Sequence, residues 1–115
     1  MKLVFSLSVL LLSLKVFSQT YCYDRGMASI MQMKTMIIDC DPTIDLSPWI
    51  FLEEKLVSNN PVRYKSQALA ALRRVDESAD SWSQQNLCLM EAKRRYEIFH
   101  RLKIQESISW CSSLL

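Results

Sequence analysis

The sequence predicts an all-α protein: a small up-down bundle of four helices stapled by two disulfide bonds. Three observations lead to this prediction. Apolar residues recur at three- and four-residue intervals, which is typical of amphipathic helices. No stretch alternates between apolar and polar residues as a half-buried strand does. Four cysteines occur in a chain of 115 residues, and an even number in a small exported protein favours disulfide bonds.

The first 18 residues have the pattern of a secretory signal peptide. Lys2 precedes an apolar run of twelve residues, Leu3 to Leu14, which Lys15 ends. A membrane-spanning helix needs about 20 apolar residues, so this run is too short to be one. A small residue, Ser18, then follows Phe17 at a position that signal peptidase accepts. We therefore predict cleavage after Ser18, a secreted, extracellular protein, and one helical domain over residues 19–115 with no membrane span.

The first helix is predicted between Asp24 and Cys40. Asp41 and Pro42 supply the stop signal, and Gly26 lowers the helix propensity of the first turn only. The apolar residues of this segment give a wide helical face: Met27, Ile30, Met31, Met33, Met36, Ile37 and Ile38.

Two shorter segments, each beginning with a capping residue followed by proline, predict the second and third helices. Ser47 is a candidate N-cap before Pro48, and the second helix is expected from Pro48 to about Val57, with Trp49, Leu52 and Leu56 on one face. Asn60 and Pro61 repeat the signal for a third helix. Its expected apolar stripe is Tyr64, Ala68, Ala71, Leu72 and Val75.

A polar turn is predicted from Asp76 to Asp80, followed by a fourth helix that begins with a capping box, Ser81 to Gln84. No glycine or proline follows, so this helix should be the longest. We expect two surface pairs at i,i+4 spacing, Glu91 with Arg95 and Glu97 with Arg101. The expected buried stripe is Cys88, Ala92, Tyr96 and Phe99.

The lengths of the first and last helices limit how the four cysteines pair. At 1.5 Å per residue, a continuous helix separates Cys22 from Cys40 by about 27 Å and Cys88 from Cys111 by about 35 Å. A disulfide needs Cα atoms within about 7 Å, so neither of these pairs should form. Two connectivities remain, and an up-down bundle favours the nested one, in which Cys22 pairs with Cys111 and Cys40 with Cys88. The unequal spans predict that the last helix unwinds near 107–110.

Charge and residue types argue against several functions. Removal of residues 1–18 takes away Lys2 and Lys15, which leaves 14 − 2 = 12 basic residues against 12 acidic ones. A neutral chain has no field that attracts nucleic acid. The single histidine, His100, has no catalytic motif around it and is expected at the surface. The cysteine spacing fits no zinc site. We expect no enzyme activity, no metal and no cofactor.

Two groups of residues are candidates for binding. Flexible thioethers and aromatic rings could line an apolar ligand site inside the bundle. The residues proposed for this lining are Met27, Met31, Met36, Tyr96 and Phe99. A local excess of basic residues on the fourth helix could instead contact an acidic partner. These residues are Lys93, Arg94, Arg95 and Arg101.

The sequence therefore leaves two functional hypotheses. The first is a small secreted, non-enzymatic helical protein that acts by protein–protein interaction, either as an extracellular ligand or as a factor of a secreted fluid. The alternative is a carrier that holds a small hydrophobic ligand in the bundle interior. The partner would be an extracellular protein in the first case and a small apolar molecule in the second.

Overall fold

The structure, a computed structural model, describes residues 24–57 and 61–113, and these residues form four helices and no strand. Helix α1 covers residues 24–40, α2 is Ser47–Leu56 and α3 is Pro61–Asp80. The fourth helix is continuous but has three segments: α4, a π turn and α5. Their bounds are Leu87–Arg95, Tyr96–His100 and Arg101–Ser113. The prediction of an all-helical chain with four helices is confirmed.

Helix α1 and the fourth helix run antiparallel, as contacts at both of their ends show. The end of α1 is joined to the start of α4 by a disulfide bond between Cys40 and Cys88, with Cα atoms 5.4 Å apart. At the opposite ends, Gly26 lies so close to α5 that a Cβ atom there would be 2.9 Å from the Cβ of Ser107. The absence of a side chain at residue 26 thus permits the close approach of the two helices.

The predicted bond between Cys40 and Cys88 is confirmed. Because each of these two cysteines has the other as its partner, neither Cys22–Cys40 nor Cys88–Cys111 can form. The second predicted bond, Cys22 to Cys111, lies outside the described residues, since Cys22 and the side chain of Cys111 are not among them.

Helix α2 begins one residue earlier than predicted, and a different side chain satisfies the backbone before it. The carboxylate of Asp45 accepts hydrogen bonds from the backbone N–H of Ser47 at 2.9 Å and from its hydroxyl. Ser47 is therefore the first helical residue and not the N-cap, which is Leu46. The predicted inner face is correct, because Trp49, Leu52 and Leu56 are fully buried.

Helix α3 is longer than predicted, and the fourth helix starts later. The predicted turn from Asp76 to Asp80 is helical. The predicted capping box at Ser81 and Gln84 does not form; residues 81–86 make the turn, and Asn86 caps α4 by accepting a hydrogen bond from the N–H of Leu89 at 3.1 Å. Ser81 does not cap the fourth helix because it directly follows α3, where its hydroxyl donates to the carbonyl of Ser78 at 2.7 Å.

The core lies between all four helices. Its centre includes a T-shaped contact between the rings of Trp49 and Tyr96, with centroids 5.3 Å apart. The other fully buried large side chains come from α1, α2, α3 and α5: Ile30, Met33, Ile37, Leu52, Leu56, Leu72, Val75, Ile104 and Ile108. The small residues Ala68, Ala71 and Ala92 are also buried and let the helices approach closely.

The π turn explains where the predicted buried stripe of the fourth helix is wrong. From Ala92 to Ile108 the buried residues are four apart: Ala92, Tyr96, His100, Ile104 and Ile108. Each four-residue step over-rotates an α-helix by about 40°, so four steps would move Ile108 about 160° away from Ala92. The wider turn, in which the N–H of Arg101 donates to the carbonyl of Tyr96, absorbs part of this drift. Phe99, predicted to be buried, is consequently exposed. Cys88, the first residue of the predicted stripe, is exposed too, and Leu89 is buried beside it.

The predicted unwinding of the last helix near 107–110 is also wrong. Residues 101–113 are helical throughout, and both Ser107 and Ile108 are buried. The irregularity of the fourth helix lies about ten residues earlier, in the π turn.

Candidate functional site

A second apolar stripe runs along the outer side of the fourth helix, opposite its buried face. We call it the apolar ridge and define it by five exposed side chains: Leu87, Met90, Ile98, Phe99 and Leu102. Between 43% and 78% of each of these residues is accessible to solvent. Leu87, Met90, Ile98 and Leu102 follow one line along the helix, with Arg94 between Met90 and Ile98.

The line is produced by the spacing of these residues. From Leu87 the steps are three to Met90, four to Arg94, four to Ile98 and four to Leu102. Steps of three and four keep side chains on one face of a helix. The π turn, between Tyr96 and His100, keeps the last two steps in line in the same way that it keeps the buried face in line. Two opposite faces of one helix are therefore both apolar.

A groove of about 530 Å³ lies beside the ridge, between α1 and the fourth helix. Its α1 wall consists of Met31, Gln32, Thr35, Met36 and Asp39, and its opposite wall of Arg95 and His100. Met31 is exposed, whereas Met36 is half-buried and packs against the core. The groove is thus an open surface feature with mixed polar and apolar walls.

His100 forms part of this groove but is itself buried, which contradicts the predicted surface position. Its Nδ1 atom is buried and has no hydrogen-bond partner among the described residues. Burial lowers the pKa of His100, and the positive charges of Lys103 and Arg95 lower it further. The imidazole is therefore neutral at physiological pH.

A hydrogen-bonded network joins α3 to the fourth helix below the ridge. The hydroxyl of Tyr96 donates to Asp76 at 2.6 Å, and Arg101 donates from Nε and Nη2 to the same carboxylate at 3.0 Å each. Burial and the hydrogen bond to Asp76 raise the pKa of Tyr96 well above its usual value. The hydrogen bond to Asp76 likewise raises the pKa of Arg101. Tyr96 stays neutral and Arg101 charged over the whole physiological range.

The four basic residues predicted to contact a partner are used in different ways. Arg101 is held by Asp76 and donates to Gln105 at 3.0 Å, so it does not form the predicted pair with Glu97. Lys93 lies 3.2 Å from Asp80 and 3.8 Å from Glu97. These two cations serve mainly to hold the helices together.

Arg94 and Arg95, in contrast, lie at the surface and share one carboxylate. Glu91 is 3.3 Å from Arg95 and 3.7 Å from Arg94. The predicted pair of Glu91 with Arg95 is confirmed, and the side chain of Arg94 is 71% exposed. Both arginines border the apolar ridge, so of the four predicted basic residues these two are placed for contact with a partner.

The five residues predicted to line an interior ligand site are not brought together. Tyr96 is buried against Trp49, and Met27 packs against the core. Met31 and Met36 line the open groove, and Phe99 belongs to the exposed ridge. Met31 and Phe99 are exposed because the inner turns of their helices are occupied by Ile30, Met33 and His100.

Sequence reasoning missed the apolar ridge, although a signal for it was present. The three- and four-residue spacing from Leu87 to Leu102 is a helical stripe in its own right. A second apolar stripe on the same helix, from Cys88 to Phe99, competes with it for the core-facing position.

Metal-binding clusters, membrane-spanning helices and similarity to known proteins would be signs of a further functional site, and none is found in the described residues. Among residues 24–57 and 61–113, no group of three or more His, Cys, Asp or Glu side chains is placed to hold a metal ion. No helix in those ranges combines the length and apolarity needed to cross a membrane. No family model, curated protein or solved structure matches this chain.

Proposed function

We propose that the protein is a small secreted, non-enzymatic factor that acts by protein–protein interaction through the apolar ridge. The observation that carries this proposal is the exposure of five large apolar side chains on one helix that already has a buried face. Contiguous exposed apolar surface is characteristic of interaction sites. The ridge combines exposed apolar side chains with an arginine, Arg94, in the middle of its line, and arginine is enriched in interfaces.

The proposal includes export and a second disulfide bond. The bond between Cys40 and Cys88 is compatible with an oxidising extracellular compartment. Gly26 and Ser107 are neighbours at the other end of the helix pair; Cys22 precedes Gly26 by four residues, and Cys111 follows Ser107 by four. This arrangement supports the bond between Cys22 and Cys111. We expect a mature chain of residues 19–115 with both bonds.

Export and the disulfides are tested by expressing the full chain in eukaryotic cells and analysing the medium. Intact mass should correspond to a chain that begins at Gln19 and lacks four thiol hydrogens. Non-reducing peptide mapping should show Cys22 linked to Cys111. Retention inside the cell with residues 1–18 attached would contradict the proposal, and so would free thiols at these two cysteines.

The interaction is tested by saturable binding of the labelled, secreted protein to cells of the source organism. The double variant Ile98→Ser/Leu102→Ser should lose this binding while its circular dichroism spectrum stays unchanged, because both residues are exposed. Arg73→Glu on α3 is the control, since Arg73 is exposed on another helix. Equal binding by the wild type and the double variant would rule out the ridge as the interaction surface.

The carrier function is a second candidate, and the groove lined by Met31 and Met36 favours it. Thioether side chains adapt to apolar ligands of different shapes. A carrier would bind an apolar fluorescent probe at one equivalent and would gain thermal stability from it. Met31→Trp would fill the groove and abolish this binding. Saturable probe binding that Met31→Trp abolishes would favour the carrier over a protein that acts only by interaction.

A further inference from the structure

We propose that the apolar ridge docks an amphipathic helix that carries acidic side chains beside its apolar stripe. This inference rests on the proposed function and names the partner of the same surface. It is drawn from three features of the described residues: the spacing of the ridge, the charge at its border and the repulsion that a second copy of the chain would meet.

The spacing of the ridge fits a helix as the occupant. The line from Leu87 to Leu102 spans fifteen residue steps, or about 22 Å at the α-helical rise. Apolar residues at steps of three and four present ridges into which the side chains of a second helix interdigitate. A partner helix of four turns would cover the whole line.

The border of the ridge carries excess positive charge. Arg94, Arg95 and Lys103 project near it, and Glu91 is the one carboxylate within ion-pair distance of the two arginines among the described residues. No carboxylate of the described chain lies within 4.0 Å of the Lys103 ammonium. Glu106, exposed four positions after Leu102, is a second carboxylate on this face, so three cations against two carboxylates leave a local charge of 3 − 2 = +1.

The position of His100 shows that two of these cations lie close together. Burial lowers the pKa of its imidazole, and Lys103 and Arg95 are both near enough to lower it further. Glu97 lies 3.8 Å from Lys93 and is engaged by that cation. Carboxylates on a partner helix would complete the pairing that the chain itself leaves unfinished.

Charge also argues against a second copy of this chain as the occupant. A symmetric antiparallel pair of ridges has its centre at Arg94, midway between Leu87 and Leu102. Such a pair would bring Arg94 and Arg95 of one chain against the same two arginines of the other. Like charges that face each other across a helix interface are destabilising.

The test uses two synthetic peptides of eighteen residues with the same leucine stripe at three- and four-residue steps. One carries glutamates beside the stripe and the other carries lysines at the same positions. Binding to the full, disulfide-bonded chain is measured by fluorescence anisotropy at low salt. The glutamate peptide should bind at least ten-fold more tightly than the lysine peptide, and the difference should shrink as salt is added.

Two variants and one control test whether the ridge and its arginines cause the preference for the glutamate peptide. Arg94→Glu/Arg95→Glu should abolish or reverse the preference, whereas Arg73→Glu, the same charge change on α3, should leave it unchanged. Ile98→Ser/Leu102→Ser should weaken both peptides equally. If the control Arg73→Glu reduced the preference as much as the double reversal, net charge and not the ridge border would explain it.

The remaining outcomes separate this inference from the function on which it rests. The acidic helix would be ruled out as the partner by equal affinity for the two peptides, by preference for the lysine peptide, or by no binding of either. Even then, loss of cell binding in Ile98→Ser/Leu102→Ser would support the ridge as the interaction surface. A concentration-dependent dimer in analytical ultracentrifugation that the same variant abolishes would assign the ridge to a second copy. Ridge-dependent binding to anionic lipid vesicles, without peptide binding, would assign it to a membrane surface.

Discussion

The two faces of the fourth helix are both apolar, yet only one of them is part of the fold. The inner face buries Tyr96, Ile104 and Ile108 completely or almost so, and Tyr96 is further held by Asp76. The outer face exposes Ile98 and Leu102 by more than half, and none of the described helices covers them. Hydrophobicity alone therefore does not decide which side of a helix faces the core. The neighbouring helices decide it, through the contacts that they offer.

This difference assigns separate roles to residues that are close in sequence. Substitutions on the inner face should lower the free energy of unfolding. They should weaken binding at the surface only to the extent that they unfold the protein. Substitutions on the outer face should leave stability nearly unchanged and act directly on binding. Four predictions test this separation, beginning with the largest effect.

The pair Ile104→Ala and Leu102→Ala tests the two faces with aliphatic residues two positions apart. Ile104 is fully buried, so its truncation leaves a cavity and should cost about 3 kcal/mol of unfolding free energy. Leu102 is 57% exposed, and its truncation should change stability by less than about 0.5 kcal/mol. Urea denaturation followed by circular dichroism measures both. Similar losses for the two variants would mean that Leu102 is covered by another part of the chain.

Asp76→Ala and Asp80→Ala compare two carboxylates at the end of α3. Asp76 accepts hydrogen bonds from Tyr96 and Arg101, and its loss leaves the buried phenol without this acceptor. Because Asp76 and Arg101 are partly exposed, we expect a loss of about 1 to 2 kcal/mol and not the larger cost of a buried pair. Asp80 is mostly exposed beside Lys93, so its removal should cost less than about 0.5 kcal/mol. Thermal and urea unfolding should rank the two variants in this order.

Gly26→Ala tests the close contact between α1 and α5. The added Cβ would lie 2.9 Å from both the Cβ and the Oγ of Ser107, so one helix must shift. Overpacking costs about 1 to 3 kcal/mol, and the better helix propensity of alanine offsets part of this, which leaves a net loss of about 1 kcal/mol. In a Ser107→Gly background the same substitution should cost less, because both contacting atoms are gone. Strict additivity of the two substitutions would contradict the contact.

The pH dependence of stability tests the buried position of His100. Its pKa is lowered in the folded state, so below the ordinary value of 6.5 the unfolded chain binds more protons than the folded one. This contribution to stability is complete above pH 6.5 and is lost as the pH falls below that value. The melting temperature should therefore decline more between pH 7.5 and 5.5 in the wild type than in His100→Gln. Lys103→Gln should weaken the decline, because one repulsive charge is removed.

The broad architecture was predictable from the sequence, because it depends on lengths and spacings. Rigid helices too long for their own cysteines to meet left two connectivities, and the up-down topology selected the one that contains the bond between Cys40 and Cys88, which the structure has. The bounds of α1 and the inner face of α2 were predictable from apolar spacing and from the prolines that follow these two helices, Pro42 and Pro61.

The details that failed are those in which local signals compete. Asp45 and Ser47 are both good capping residues, as are Ser81 and Asn86, and the choice between them depends on where the neighbouring helix ends. The π turn carries no glycine or proline that would mark it, and its position follows from the need to keep Tyr96 and Ile104 against the same core. The exposure of Phe99 and the burial of His100 both follow from that turn.

The bond between Cys40 and Cys88 also encloses α2 and α3 in a covalent ring of the main chain, since the two cysteines are 48 positions apart. A protease that cuts anywhere inside this ring would leave a single molecule of almost unchanged mass, because the bond between Cys40 and Cys88 still joins the two fragments. Two fragments would separate on a gel only after a reductant is added. Nicked and intact protein would therefore have nearly the same mass under oxidising conditions, and only reduction would distinguish them.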